Sequence, residues 1–253
     1  NIRLLTQGMV IKDGAKMSKS KGNVVNLGDF IKEHGTDPSK LFSLFAAPPE
    51  KELDWNEQGV EGCRRFLNRV WKLVYKHKSL FDHKEISNVI DAKNEDIKQL
   101  KFWMHKTIDR VTHDIEDDFH FNTAISAIME YVNFLTSFES KSASTEVNIV
   151  MKECIETLVC LLGPFAVHIS EELWSSLGNK PSVMQSVWPK VDPLWLKQDD
   201  ELIVIQVNGK LRGKVTVSIS ILEEELKKVV FSEEKVKAYV GNKPIKKNYR
   251  CSS

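Results

Sequence analysis

The sequence predicts a mainly α protein: an antiparallel bundle of long helices, led by a hairpin-and-helix stretch and followed by a small α/β unit. Three observations carry this. From about Glu57, apolar residues recur at three- and four-residue steps as far as Trp174. Near Gly178 the composition shifts to an irregular stretch bearing Pro181, Trp188-Pro189, Pro193 and Trp195. Beyond it, Leu202 to Val207, Asn208-Gly209 and Leu211 to Ser218 read as strand, hairpin turn and return strand.

Each element follows in order. Leu4 to Lys12 is apolar and compact and Asp13-Gly14 turns it, so a short hairpin leads into a lysine-rich loop. Asn26 is placed to cap a helix from Leu27 to His34, stopped by Gly35. Asp37-Pro38 has the chemistry of the next start, with Asp37 as N-cap and Pro38 at the first helical position. That helix carries Leu41, Phe42, Leu44 and Phe45 before Pro48-Pro49. The first bundle helix has Val60, Phe66, Leu67, Val70, Trp71 and Val74 on one stripe. A polar stretch from His83 to Asn94 precedes the second, about Asp96 to Ile115, with Ile97, Leu100, Met104, Ile108 and Val111 on one face. Asp117-Asp118 and Asn122 mark a third start, with the stripe Ile125, Ile128, Met129, Val132 and Leu135. A Ser-rich link, Ser137 to Thr145, leads to a helix from Glu146 to Leu162. Gly163-Pro164 breaks it, and a last helix carries Phe165, Ile169, Leu173 and Trp174. Trp71, Trp103 and Trp174 read as core. Amphipathic helices at Glu223 to Val230 and Glu233 to Tyr239 close the α/β unit.

The 253 residues carry a net charge of +1, so no bulk field draws in a polyanion. Nucleic-acid contact would have to come from local basic patches: Lys16 to Lys21, Lys210 to Lys214, and Lys243 to Arg250. Cys63, Cys154, Cys160 and Cys251 form no C-x-x-C pair and no zinc spacing, so no metal site is expected. Reduced thiols in a cytoplasmic compartment fit, with an organelle matrix open, and Cys154 and Cys160 read as core filler. No apolar stretch is long enough to span a membrane. The opening Asn1-Ile2-Arg3-Leu4-Leu5 has neither Met nor a signal-peptide layout, which predicts a piece of a longer chain.

Chemistry concentrates in Lys16-Met17-Ser18-Lys19-Ser20, followed by Lys21-Gly22-Asn23. Flexible ammonium groups on such a loop can neutralise charge building on a leaving pyrophosphate. Ser18 and Ser20 add short donors, and Gly22 permits close backbone approach. It is not a Walker loop, and a solvated basic loop fits the same charges. Arg65 and Arg69 share a helical face and suit either RNA phosphates or a solvated edge. Lys210, Arg212 and Lys214 alternate along a strand and so share one face, suiting RNA backbone or edge-strand protection. His168 reads as a satisfied, partly buried residue, and Glu171-Glu172 and Asp117-Asp118 as helix-start charges.

The literal string Lys16 to Ser20 resembles the signature loop of class I aminoacyl-tRNA synthetases. Gly8-Met9-Val10, Lys21-Gly22-Asn23-Val24-Val25, Phe45 to Lys51 and Leu53-Asp54-Trp55 are similar to leucyl-tRNA synthetases of the bacterial type, and Lys21 favours leucine over the isoleucine and valine enzymes. Gly59 to Gly62, Arg65 to Trp71, Phe121 to Ile125, Gly163 to Trp174 and Val207 to Lys214 continue the likeness over nearly all of the chain. The resemblance implies the end of a nucleotide-binding α/β core (1–50), a tRNA-binding helix bundle of the anticodon-binding type (51–178), a connector (179–199) and a small α/β domain (200–253). It implies leucine–tRNA ligase activity: ATP-dependent activation of leucine and its transfer to tRNA(Leu). ATP would be bound by Lys16, Met17, Ser18, Lys19 and Ser20, with Mg2+ as counter-ion. Lys19 would make the main phosphate contact, Lys16 would assist, Ser18 and Ser20 would shape the loop, and Met17 would anchor it. It also tips Lys210, Arg212 and Lys214 towards RNA.

The chain departs from the family in three respects. The second nucleotide signature, His-x-Gly-His, is absent, as are the leucine pocket and the editing domain. Lys40 stands where the family commonly has Arg. The tail Asn248 to Ser253 is polar where a buried strand is expected, which predicts an incomplete or frayed small domain. The isolated chain is therefore expected to be inactive and to need the missing N-terminal catalytic and editing part. A stand-alone tRNA-binding module, one half of a split enzyme and a non-functional truncated product are the alternatives.

Overall fold

The structure, a computed structural model, describes residues 8–82, 93–116, 119–140, 144–196, 200–207, 210–218, 223–232 and 236–237. Two compact units divide at Leu196 and Lys197.

The first unit opens with β1 (Val10–Lys12) and β2 (Ala15–Lys16), an antiparallel hairpin. Asp13 and Gly14, at φ 55° and 72°, both take the left-handed conformation that a two-residue turn of matching twist needs. Two helices follow, α1 (Leu27–His34) and α2 (Thr36–Phe45), and the chain returns as β3 (Leu53–Asp54), parallel to β1. The sheet order is β2-β1-β3, and β3 was not foreseen as a strand. Asn26 caps α1 as expected, its side chain accepting from Gly28 N–H at 3.0 Å.

The bundle consists of α3 (Glu57–His77), α4 (Glu95–Glu116), α5 (Phe121–Ser137), α6 (Thr145–Leu162) and α7 (Val167–Ser176). Asn56, Asn94 and Ser144 cap α3, α4 and α6. The predicted stripes are the core: Val60, Val70, Ile97, Leu100, Val111, Ile125, Ile128 and Leu135 are fully enclosed. Asn122 lies inside α5 rather than before it, and Asp117-Asp118 falls outside the described residues. The tryptophans depart from expectation. Trp71, Trp103 and Trp174 are half-buried and pack on the outside of the core, because rings this large reach past it. Trp103 stacks on Phe134, and Trp174 Nε1 donates to Pro181 O.

Asp37 corrects another expectation. The α2 helix opens at Thr36, one residue before Asp37, so Asp37 cannot cap it. Its buried carboxylate caps α7 instead, accepting from His168 N–H (3.3 Å) and Ile169 N–H (2.7 Å). His168 Nδ1 bonds the same carboxylate at 2.8 Å, and its ring is 73% exposed rather than partly buried. Lys40, one turn further along α2, donates to Pro164 O at 3.0 Å. Lys40 thus ties α2 to a carbonyl ahead of α7.

The connector forms a strap along α4. Trp188 Nε1 donates to Thr112 Oγ1 (2.8 Å), Asp192 N–H donates to His105 Nδ1 (3.1 Å), and Trp195 lies under the Lys101 ammonium. Glu171 accepts from Ser182 Oγ and Val183 N–H, so it anchors the strap's first turn as well as belonging to α7.

The second unit contains β4 (Asp200–Val207), β5 (Lys210–Ser218) and α8 (Glu223–Ser232). Ile205, Val215, Leu226 and Val236 form its small core. The predicted turn at Asn208-Gly209 and most of the last helix lie outside the described residues. Eight α-helices and two small sheets among the described residues make the fold mainly α, as the sequence predicts.

Candidate nucleotide and nucleic-acid sites

The lysine loop begins where β2 ends. Met17 N–H extends the hairpin by donating to Val10 O (3.1 Å), and Lys19–Lys21 form one tight helical turn. Lys21 N–H closes that turn on Ser18 O and Gly22 N–H on Lys19 O. Gly22, at φ 68°, ends it in the left-handed region that favours glycine. Ser18 Oγ and Ser20 Oγ are 3.2 Å apart. Lys16, Lys19 and Lys21 are exposed and make no ion pair among the described residues, while the neighbouring Lys12 faces Glu57 at 4.0 Å. Three unpaired ammonium groups around a short turn therefore form a local positive field with donors free for an anion. Met17 is half-buried and is not among the side chains packed on the core, so its backbone does the anchoring.

Sequence reasoning passed over Asn23. Its Oδ1 accepts from Ser18 N–H at 2.9 Å, and its Nδ2 faces the carbonyls of Lys12, Ala15 and Lys16. The signal was present in the string, but nothing local says that an Asn folds back across seven residues.

A second positive feature runs along α3. Arg65, Arg69, Lys72 and Lys76 are exposed at four-, three- and four-residue steps, which places them within about 60° of one helical face over roughly 16 Å. Arg65, Lys72 and Lys76 make no ion pair among the described residues. Arg69 bonds the neutral Asn133 Oδ1 at 2.8 Å and so keeps its charge. Arg64, off to one side, pairs with Glu61. Tyr75 flanks the stripe, stacked on Trp71 at 4.7 Å with Lys78 over its ring. The sequence reading found Arg65 and Arg69 and missed Lys72, Lys76 and Tyr75, although the helical spacing was there to extend.

The hairpin of the second unit corrects the one-face reading. Val204 pairs with Lys214 and Val207 with Lys210, three steps on one strand against four on the other. A bulge between Ile205 and Gln206 leaves Arg212 without an opposite residue. The inserted residue puts Lys210 and Lys214 out of phase in the backbone register, so plain alternation does not hold across the three. Lys214 is exposed and Arg212 half-buried.

Other features carry less chemistry. A cavity of about 240 Å³ lies between α2, β3 and the start of α5, lined by Gly8, Leu44, Pro48, Lys51, Leu53 and Phe121, and Lys16, Lys19 and Lys21 are not in its lining. Among the described residues no group of three or more His, Cys, Asp or Glu side chains could hold a metal. No helix there is long and apolar enough to cross a membrane. Burial pushes the Cys63 thiol up to about 11 and the Cys154 thiol to about 12, so both are core filler rather than nucleophiles.

Two family models match parts of the chain. Residues 2–56 match the family model for class I tRNA synthetases of the isoleucine, leucine, methionine and valine group. Residues 103–228 match the anticodon-binding domain of tRNA ligases. The chain is 52% identical over 244 residues to the leucine–tRNA ligase of Geotalea uraniireducens (strain Rf4), covering 96% of this chain and 29% of that protein. It is 44% identical to the leucine–tRNA ligase of Thermotoga maritima, covering 96% and 30%. Among solved structures it resembles the ternary complex of Agrobacterium radiobacter K84 agnB2 LeuRS with tRNA and LeuAMS. That match has a TM-score of 0.75 and 31% identity, covering 97% of this chain and 31% of that one. The chain thus spans about three tenths of the length of the curated relatives it matches. On these grounds the chain belongs to the bacterial leucyl-tRNA synthetase family, joining the end of the class I catalytic domain to the anticodon-binding helical domain.

Proposed function

We propose that this chain supplies two parts of a leucine–tRNA ligase: the ATP-phosphate loop and a docking surface for tRNA(Leu). The observation that carries the first part is the loop itself, three exposed lysines without ion-pair partners among the described residues, held around one turn. When ATP is bound it supplies the leaving pyrophosphate. Lys19 and Lys16 would neutralise the charge that grows on that pyrophosphate as the leucine carboxylate bonds to the α-phosphorus and the α–β anhydride bond breaks, and Ser18 and Ser20 would hold the turn. Mg2+ would arrive with the nucleotide, since no carboxylate cluster among the described residues offers a site. The leucine pocket and the second nucleotide signature would come from outside these 253 residues, so the chain alone would not activate leucine.

The docking surface is the α3 stripe, with Arg65 and Arg69 joined by Lys72 and Lys76. Lys214 and Arg212 would add backbone contacts from the second unit.

The test replaces the matching region of the Geotalea uraniireducens enzyme with this chain. Leucine-dependent ATP–pyrophosphate exchange and aminoacylation of tRNA(Leu) should persist. Lys19→Ala should lower kcat by about a hundredfold or more, the scale of losing one aimed donor. Exchange unaffected by Lys19→Ala would contradict the phosphate reading, and exchange by the 253-residue chain alone would contradict the division of labour.

A further inference from the structure

One half-buried side chain braces the lysine loop against the hairpin. Asn23 Oδ1 accepts from Ser18 N–H at 2.9 Å. Its Nδ2 lies 3.4 Å from Lys12 O, 3.3 Å from Ala15 O and 3.3 Å from Lys16 O. An amide nitrogen has two hydrogens, so three carbonyls share them. This one group therefore ties both strands of the hairpin, next to the Asp13-Gly14 turn, to the residue where the Lys19 turn begins. Ser18 is the joint: its N–H is held by Asn23 and its carbonyl receives Lys21 N–H at 3.1 Å. Met17 N–H bonds Val10 O on the hairpin side of that joint, and Gly22 N–H bonds Lys19 O beyond it.

The lysines themselves have no such restraint. Their stems are long and flexible, so the Cα of each lysine sets the region that its ammonium can reach. Electrostatic stabilisation of a transient charge needs donors already aimed, and small misplacements are costly. Gly22 and the Ser18–Ser20 hydroxyl contact shape the turn but do not tie it to the hairpin.

We propose that Asn23 is the positioning residue of the loop, fixing Lys16 and Lys19 relative to the hairpin without itself meeting the polyphosphate. This rests on the reading of the loop as an ATP-phosphate grip. It assigns to the side chain after the signature a role in rate rather than in substrate binding.

The test has two arms. In the 253-residue chain, Asn23→Ala should speed tryptic cleavage after Lys16, Lys19 and Lys21 severalfold and leave the thermal midpoint unchanged. In the Geotalea chimera, Asn23→Ala should lower kcat of leucine-dependent ATP–pyrophosphate exchange about ten- to a hundredfold, with the KM for leucine unchanged. Asn23→Asp keeps the acceptor for Ser18 but sets a carboxylate against three carbonyls, so its defect should be at least as large. A loss confined to kcat separates positioning from a general structural defect, which would lower the midpoint and disturb the leucine KM as well. Unchanged kcat in Asn23→Ala, with Lys19→Ala still impaired, would overturn the proposal and leave the phosphate reading intact. If Lys19→Ala has no effect, the phosphate reading fails and the role of Asn23 in rate falls with it. The tryptic arm then still shows whether Asn23 holds the loop, and unchanged cleavage would refute that too.

Discussion

Replacing Asp37 by alanine should destabilise the bundle from a position that looks like the start of a different helix. The Asp37 carboxylate is buried and accepts from Ile169 N–H at 2.7 Å and His168 N–H at 3.3 Å, the first turn of α7. The short charge-assisted bond is worth about 1.5–3 kcal/mol and the longer one about 0.5–1 kcal/mol. The His168 ring contact adds little, because that side chain is 73% exposed and water replaces the partner. Alanine returns about 0.5 kcal/mol as the better helix former within α2. The net loss is about 1.5–3.5 kcal/mol, mostly the cost of an uncapped α7. Asp37→Asn keeps the shape and one acceptor, so about half of the loss is expected. Urea unfolding followed by far-UV circular dichroism gives the free energies. Hydrogen exchange at the amides of His168 and Ile169 locates the damage. A loss below about 0.5 kcal/mol, or unchanged protection at those two amides, would refute the capping argument.

Three further outcomes follow from the packing. Gly59→Ala should destabilise by about 1–3 kcal/mol, because its Cβ would stand 2.5 Å from Phe42 Cε2. Gly62→Ala on the same helix meets nothing within 4 Å and should stabilise by up to about 1 kcal/mol. Thermal midpoints moving in opposite directions would bear this out. Burial, with Lys101 adding to it and Glu153 and Asp192 opposing, holds the His105 imidazole below its ordinary range, and burial holds His77 low as well. For a lowered histidine the unfolded chain takes up the proton first. The stability is therefore complete above about pH 6.5 and is lost as the pH falls towards the native value. His105→Asn keeps an acceptor for Asp192 N–H, so its urea-midpoint slope below about pH 6.5 should be shallower than the parent's. Cys63 and Cys154, raised by burial to about 11 and about 12, should resist iodoacetamide in the native state and react in urea, as read by mass spectrometry.

What the sequence made legible was local. The bundle stripes, the Asn26 cap and the Asp13-Gly14 turn all depend on neighbours within one helical turn or one hairpin. Features built from distant pairs stayed hidden. Asp37 has the chemistry of an N-cap, but its partners lie 131 and 132 residues on. Trp188 and Asp192 sit in an irregular stretch, and only the fold shows them strapped to Thr112 and His105. The bulge at Arg212 broke an alternation that period-two reasoning takes for granted, since one inserted residue resets the phase. In the lysine loop the charges were legible and their support was not. Asn23 reads as one more polar residue until its amide is seen against three carbonyls. On α3 the pair Arg65 and Arg69 was seen, and the same spacing reaches Lys72 and Lys76.

The docking surface on α3 is tested most directly by a filter-binding titration of the 253-residue chain with tRNA(Leu) over a range of salt, beside the variant Arg65→Ala, Arg69→Ala, Lys72→Ala, Lys76→Ala. The parent should bind at low salt with an affinity that falls steeply as salt rises. The variant should bind more weakly, with a log–log slope smaller by about two to three, since four charges lost at roughly 0.7–0.9 each set the upper limit. No binding at low salt, or a variant whose slope matches the parent's, would contradict the claim that α3 carries the docking surface.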